Sequence, residues 1–582
     1  MVMKPLPIFC YYDKQQFTQF GAMDCANWYG VMAESGKKKQ SLYPAMGRKH
    51  VSFMGENKLV FDTEPNRPFK TINYFYVVIG TRVYQIDRFY NQKLIGSVAL
   101  GSTQWFAWLA VGTTIVACMT DGKNIFRITE DGTSVTMETI TDPNAPTNPR
   151  YVAAFGNRIV VSDDKTPDFY LSTINFTGTV NDCFTINGGA LFNSASGVIG
   201  QMGVLHNQLY IFTDYTTDVW ANIPTQITVA GITRQFPWKL NTSYNWDYGI
   251  FDPFSLAINF GRMVWLAKND SGIVSFMTSD GGRPKDISTQ AINVLLEQSS
   301  SVNAVSPFLN GESSGFLYQY NNTIFYRAVA GKFLDFGILD ITDSANSIEY
   351  NFNTGTWARV IELNGERNRI QNHIFYNNKH LVTVSGDTAM YEMAGNIFYN
   401  ELRNTEEENP QAPNAFVKYP MRYELVTPQI FDETDYSEWV DDYVEIDFVF
   451  GDKTFYKSNA PFLNTVYVVD EASTPEAPIY LVTENDEFII GERGNTPSFD
   501  DNHYNALFKP YIELYYSNDG GVTYFYADKR EFSPKGAYQW IMRWYELSSY
   551  RNRCYKLVCV SSAPIVILGA VRNTRRVSGG AN

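Results

Sequence analysis

The chain reads as an all-β protein: a β-propeller of six or seven blades with an additional C-terminal β-rich domain. Three observations lead there. Aromatic residues make up 15% of the chain, with 38 Tyr and 40 Phe, a composition that favours strands over helices. Apolar stretches of helical length are scarce. Seven times before residue 400 an apolar strand, a two-residue turn and a second apolar strand follow one another.

The turn pairs are Gly80-Thr81, Gly112-Thr113, Gly156-Asn157, His206-Asn207, Gly261-Arg262, Asn321-Asn322 and Asn377-Asn378. Gly and Asn tolerate positive φ, so Gly-first pairs suit type II′ turns and Asn-Asn suits type I′. An Asp usually closes the second strand, at Asp87, Asp121, Asp163, Asp214, Asp270 and Asp387, and a third strand often follows. Consecutive turns lie 32 to 60 residues apart, the spacing of blades repeated around an axis. Residues 335–369 add at least one further strand pair, which leaves the blade count at six or seven.

Around this repeat the chain divides into four parts. Residues 1–50 form an N-terminal extended segment with a basic run at 37–39, and residues 51–403 form the propeller. Residues 404–414, N-T-E-E-E-N-P-Q-A-P-N, read as a linker. Residues 415–582 form the second β-rich domain, with an insertion at 452–507. Its strand Y-V-E-I-D-F-V-F puts Val444, Ile446, Phe448 and Phe450 on one face. The basic, Gly-rich tail is expected to fray.

Formal charge is −14, from 47 basic and 61 acidic residues. Tight duplex binding needs Lys and Arg to displace counterions, so this balance argues against it. It suits either a surface that DNA slides past or ordinary solubility. No signal peptide and no apolar run long enough to span a bilayer are visible. The six Cys are scattered and read as buried free thiols of a cytosol-made protein. With five dispersed His there is no zinc-ligand spacing, so neither metal nor cofactor is expected.

Catalytic patterns are missing: no phosphate-binding loop, no nucleophile elbow, no His-Glu-x-x-His. The sharpest local motif is Ser517, Asp519, Gly521, Thr523 and Tyr524 within S-N-D-G-G-V-T-Y. It resembles the Asp-box of sialidases, with a weaker echo at 278–282. In that family the box is a folding device: Asp accepts backbone hydrogen bonds and the aromatic tucks into the core. A glycan hydrolase or lectin is therefore the alternative reading. Trp105, Trp108, Trp220, Trp238, Trp246 and Trp265 are better explained as blade packing than as ligand platforms. Arg551, Arg553, Arg572, Arg575 and Arg576 read as a solvated face or a subunit contact.

Both ends carry a more specific pattern. Residues 19–29 include Gln19-Phe20-Gly21 and lead to Asn27 and Tyr29, followed by Pro44 and Gly47. Near the other end the Asp-Gly-Gly hairpin precedes Gly536-Ala537-Tyr538, Arg543-Trp544 and Arg551-x-Arg553. Together these resemble the tail hub, nozzle or "packaged DNA stabilisation" proteins of short-tailed bacteriophages. Ala45 and Met46 separate Pro44 from Gly47, so the turn of that motif matches loosely. The resemblance implies a non-enzymatic virion protein, made in the host cytoplasm and located in the tail. It implies a homo-oligomeric ring, commonly a hexamer, beneath the portal and its adaptor. Such a ring extends the channel, retains packaged DNA, conducts it during ejection and docks fibres, spikes or a needle. A channel lined with carboxylates would ease passage of phosphates.

Overall fold

The computed structural model describes residues 2–14, 21–32, 40–51, 59–132, 134–186, 189–229, 232–242, 245–300, 314–329, 347–403, 416–431, 437–451, 466–468, 479–481, 510–532 and 538–577. They group into two compact units. One comprises residues 51–341 and 369–391; the other gathers residues 1–50, 342–368 and 392–582. The linker expected at 404–414 and the basic run at 37–39 lie outside the described residues. So does most of the insertion expected at 452–507, of which only Val466–Val468 paired with Ile479–Leu481 is described.

The first unit is the propeller. At each of the seven expected places a two-residue turn joins two antiparallel strands. The hairpins are Phe75–Ile79 with Arg82–Ile86, Trp105–Val111 with Thr114–Thr120, Pro149–Phe155 with Arg158–Asp163, and Ile199–Leu205 with Gln208–Thr213. Ala257–Asn259 with Arg262–Lys268, Ser314–Tyr320 with Thr323–Val329, and Ile370–Tyr376 with Lys379–Val384 complete the set. The first five hairpins each extend into a sheet of four or five strands. The fifth turn is one residue earlier than expected: Asn259 pairs with Arg262, so Phe260 and Gly261 form the turn. Both have positive φ, as do Gly156-Asn157, His206-Asn207, Asn321-Asn322 and Asn377-Asn378. That is the type I′ pattern, whose twist matches the flanking strands. In Gly80-Thr81 and Gly112-Thr113 only the Gly is positive.

From the second hairpin on, the first strands of successive hairpins neighbour one another in order; Tyr76 of the first hairpin meets Phe106 of the second at 5.6 Å, and the last first strand, Ile370–Tyr376, returns to Phe69–Lys70 beside the first. Tyr376 Oη donates to Asn73 O at 2.7 Å, and its ring meets Phe75 at 5.0 Å. The entering chain seals the ring: Val51 N donates to Met390 O (3.1 Å), Phe61 N to Thr388 O (2.9 Å) and Met390 N to Leu59 O (3.1 Å). Closure of this kind leaves no open sheet edge at the join. The seven inner strands contain no Asp or Glu, and they pack closely. A Cβ on Gly203 would lie 2.3 Å from Ile258 Cδ1, and one on Gly315 would lie 2.4 Å from Ser255 O.

The closing Asp residues are turn makers. Asp121 accepts from the backbone N–H of Ala99, Lys123 and Asn124 at 2.7–3.0 Å, and Asp87 from Phe89 and Asn91. Tryptophans fill the blades as expected: Trp265 is fully buried, with Trp246 at 5.6 Å and Phe212 at 5.3 Å. Residues 224–248 form a small hairpin, Thr225–Val229 with Ile232–Phe236, and then supply buried Trp238 and Trp246. An α-helix, Gln290–Ser300, interrupts the strands. Between the sixth and seventh hairpins, His373 Nε2 lies 2.9 Å from His380 Nδ1, with His373 stacked on Phe316 at 5.0 Å. Burial, then His380, Arg327 and Lys70, push His373 well below its ordinary pKa.

The second unit is a pair of packed sheets. One orders Trp28–Met32, Gln40–Pro44, Ile565–Arg576, Trp439–Phe450 and Tyr538–Tyr545, with Val2–Leu6 also pairing Ile565–Arg576. The other carries Ala22–Ala26, Phe416–Val426, Asn552–Ser561, Tyr511–Ser517 and Phe525–Glu531. Their facing residues form one core. Val444, Ile446, Phe448 and Phe450 share it with Met421, Tyr423, Leu425, Ile512, Leu514 and Leu557. Burying each such side chain contributes about 1.5–3 kcal/mol. Leu6, Trp28 and Leu42 join the same core, so residues 1–50 are integral to this unit.

Two expectations are corrected here. Cys10 and Cys25 are paired as a disulfide with Cα atoms 5.2 Å apart, whereas Cys118, Cys183, Cys554 and Cys559 are buried free thiols. Folding aligns strands 2–14 and 21–32 in one core, a proximity that sequence spacing does not reveal. Arg553 and Arg572 are not on a solvated face: both are buried. Arg553 donates to Asn518 Oδ1 and Ser548 Oγ at 3.0 Å and lies over the Tyr550 ring at 4.1 Å. Arg572 lies 3.4 Å from Asp441.

Candidate functional site

The N-terminal motif and the Asp-box, far apart in sequence, meet on the strand Ala22–Ala26. That strand pairs with Phe416–Val426 and ends at Asn27, which adopts φ 59°. Asn reaches the left-handed region more readily than most residues because its short amide bonds locally. Here it bonds at long range instead. Asn27 Nδ2 donates to Ile361 O and to Arg422 O, both at 2.7 Å, and Oδ1 accepts from Ile361 N at 3.1 Å. Its backbone N–H donates to Arg359 O (3.1 Å) and its carbonyl accepts from Ala45 N (2.8 Å). One buried amide thus joins four stretches of chain.

The rest of the motif seats the same segment. Trp28 is buried and donates through Nε1 to Ile565 O at 3.0 Å. Tyr29 and Tyr43 are register partners with ring centroids 6.1 Å apart, and Pro44 lies opposite Trp28. Gly47 is required by close approach: a Cβ there would meet Tyr399 O at 2.3 Å and Ile397 O at 2.8 Å.

A charge cluster surrounds Asn27. Arg359 donates to both carboxylate oxygens of Asp24, at 2.8 and 2.5 Å, and to Glu424 at 3.0 Å. Arg422 reaches Glu424 at 2.8 Å, and Lys556 reaches the same carboxylate at 3.8 Å. Burial pushes the Glu424 carboxyl up, but Lys556, Arg359 and Arg422 outweigh it and bring the pKa below its ordinary value. A second buried pair, Arg48 with Glu362 at 2.7 and 3.2 Å, includes Asn400 at 3.1 Å. Each of these carboxylates is committed to a guanidinium. Among the described residues no group of His, Cys, Asp or Glu is arranged to hold a metal ion.

The Asp-box closes the other end of the strand. Asp519 accepts from Ser517 Oγ (2.6 Å), Val522 N (3.1 Å), Thr523 N (3.0 Å) and Thr523 Oγ1 (2.5 Å). Burial alone would raise this carboxyl; the bonds from Ser517, Thr523 and Val522 prevail and hold it at about 2. Gly521 has φ 90°, and a Cβ there would lie 2.8 Å from Ala22 Cβ. Tyr524 packs with Ala22, Val426 and Cys554. Ser517, Asp519, Gly521, Thr523 and Tyr524 are all engaged in bonds or contacts that hold this hairpin. Sequence reasoning missed Asp24, Arg359, Glu424, Arg48 and Glu362: Asp24 and Arg359 are 335 residues apart, Arg48 and Glu362 314, and Arg359 and Glu424 65.

Among solved structures a streptogramin B lyase matches with 10% identity and TM-score 0.32, over 60% of this chain and 97% of that chain. A catalytically inactive virginiamycin B lyase from Staphylococcus aureus matches with 9% identity and TM-score 0.34, over 60% and 99%. The Pan2 WD40 domain of Neurospora crassa matches with 7% identity and TM-score 0.33, over 62% and 97%. Likeness this faint transfers no activity to the present chain. No curated protein matches it. Among the described residues no helix is long and apolar enough to cross a membrane. Residues 26–310 match the phage stabilisation family model described as Bacteriophage P22 Gp10, beta-propeller. That stretch begins beside Asn27, runs through five of the seven hairpins, and belongs to this family of bacteriophage structural β-propeller proteins.

Proposed function

We propose that the protein is the tail hub, or nozzle, of a short-tailed virion. Copies of it, six by the family resemblance, form a ring on the head-to-tail adaptor. The ring extends the channel, retains packaged DNA, conducts it without sequence-specific contacts and offers docking surface for fibres, spikes or a needle. The family match over residues 26–310 carries this reading. Two physical features support it. A propeller closed by its own entering chain is a rigid wedge without open edges at the join. The charge cluster around Asn27 locks a second unit whose residues are spent on structure, which favours a non-enzymatic role.

The carboxylate-free inner strands argue that DNA does not pass along the axis of a single propeller. The conduit lies on the axis of the oligomer. The test is electron microscopy of the purified protein, alone and with its adaptor, read for rotational symmetry and a central hole. Rings are expected. A chain that stays monomeric at every concentration, even with its neck components, would defeat the proposal.

A further inference from the structure

Besides its end at Trp28–Met32, the sheet of the second unit that carries Ile565–Arg576 has two lateral edges of opposite strand direction, Val2–Leu6 and Tyr538–Tyr545. Val2–Leu6 runs antiparallel to Ile565–Arg576, which runs antiparallel to Trp439–Phe450, which runs antiparallel to Tyr538–Tyr545. Four strands therefore alternate without exception. Met3, Asn573, Tyr443 and Tyr545 form one continuous row across them, so the two edges stand about 14 Å apart at ~4.8 Å per strand step.

Both edges expose apolar side chains, and the one charge on Val2–Leu6, Lys4, lies over the Trp439 ring at 4.1 Å. Val2 and Met3 are 54% and 53% exposed, and Trp540, Ile541 and Tyr545 are 44%, 47% and 56% exposed. Among the described residues no strand pairs the outer side of either edge. The companion sheet differs. Its edge strand, Phe525–Glu531, ends in Asp528, Lys529, Arg530 and Glu531, the charged kind of edge that discourages pairing. On Tyr538–Tyr545 the one charge, Arg543, is occupied by Glu445 at 2.7 Å. One edge is thus guarded and the other is not.

We infer that Tyr538–Tyr545 of one copy pairs with Val2–Leu6 of the next copy. The inference rests on the ring reading and names its seam. A neighbour related by rotation keeps its strand directions, so the new pair is antiparallel and the alternation runs on from copy to copy. The contact joins different edges, and such head-to-tail interfaces generate rings when the rotation closes. Pro5 lacks a backbone donor and limits the new ladder to the residues around Met3, which keeps the seam short and unassembled copies from fusing indiscriminately.

The test mixes full-length chains carrying Met3→Cys with full-length chains carrying Tyr545→Cys under mild oxidation and maps disulfides by mass spectrometry. The expected result is a 3–545 link between copies. Ile541→Lys combined with Tyr545→Lys should raise the concentration for half-assembly at least tenfold while leaving the thermal melt unchanged. Rings that form without the 3–545 link, that link 545 to 545, or that ignore the double substitution overturn the seam and leave the ring reading standing. An unsubstituted chain that never assembles overturns both.

Discussion

The propeller and the two-sheet unit solve the same problem with different means. In the propeller each hairpin pairs residues separated by a short turn, as Ile79 with Arg82 or Tyr376 with Lys379, and the interior is aromatic. In the two-sheet unit the decisive contacts are 334 residues apart for Asn27 with Ile361 and 537 apart for Trp28 with Ile565, and they are polar or charged. Local pairing costs little loop entropy, whereas joining distant segments costs more. A buried salt bridge is an indifferent source of net stability but a severe loss when one partner is removed. The propeller is thus built to form, and the second unit to form in one register only.

That contrast can be broken at several points. The largest effect is expected at Arg359→Ala, which strips Asp24 of its guanidinium and Glu424 of one of its three cations and should cost about 3–5 kcal/mol. Trp265→Ala should cost a similar amount, about 3–5 kcal/mol, from lost packing. Denaturant melts followed by limited proteolysis should assign the first loss to the two-sheet unit and the second to the propeller. Equal damage to both units by either substitution would remove the distinction. Asn27→Ala should follow, at roughly 2–3 kcal/mol, because it leaves buried backbone groups unpaired. Asn27→Gly keeps the backbone turn and loses only the amide, so comparing the two separates conformation from bonding.

Acid sharpens the comparison. His373 lies below its ordinary 6.5 in the folded propeller, so the unfolded chain takes up its proton first and the propeller loses stability as pH falls below 6.5. Glu424 lies below its ordinary 4.5; its contribution is complete above 4.5 and fades as pH falls through the folded value. Melts between pH 7 and pH 3 should therefore show the propeller responding first, and His373→Phe should flatten that early response. The smallest effect is expected at Asp519→Ala, about 1–2 kcal/mol from the lost hairpin bonds. Its acid dependence, complete above 3.8 and lost towards about 2, should vanish with the carboxylate.

The sequence disclosed what is local. Seven turns could be located because Gly and Asn report positive φ where they stand, and the Asp-box because its five residues bond among themselves. The single misplaced turn, at Phe260-Gly261, arose because Phe seldom takes φ 51° and Gly261 was read as the first position. Residues 1–50 looked like a separate extended segment because nothing in Ala26-Asn27-Trp28 announces partners at 361, 422 and 565. The burial of Arg572 was hidden for the same reason, since its acceptor Asp441 is 131 residues away, and Arg553 draws on Asn518, 35 residues away, as well as on nearby Ser548.

The placement of Trp28 has a consequence for synthesis. Its indole waits for the carbonyl of Ile565, so a ribosome delivers a finished propeller long before the companion core can be sealed. Prematurely terminated translation products would carry well-formed blades yet keep a raw apolar flank, which marks them for chaperones and proteases before they can poison a growing particle.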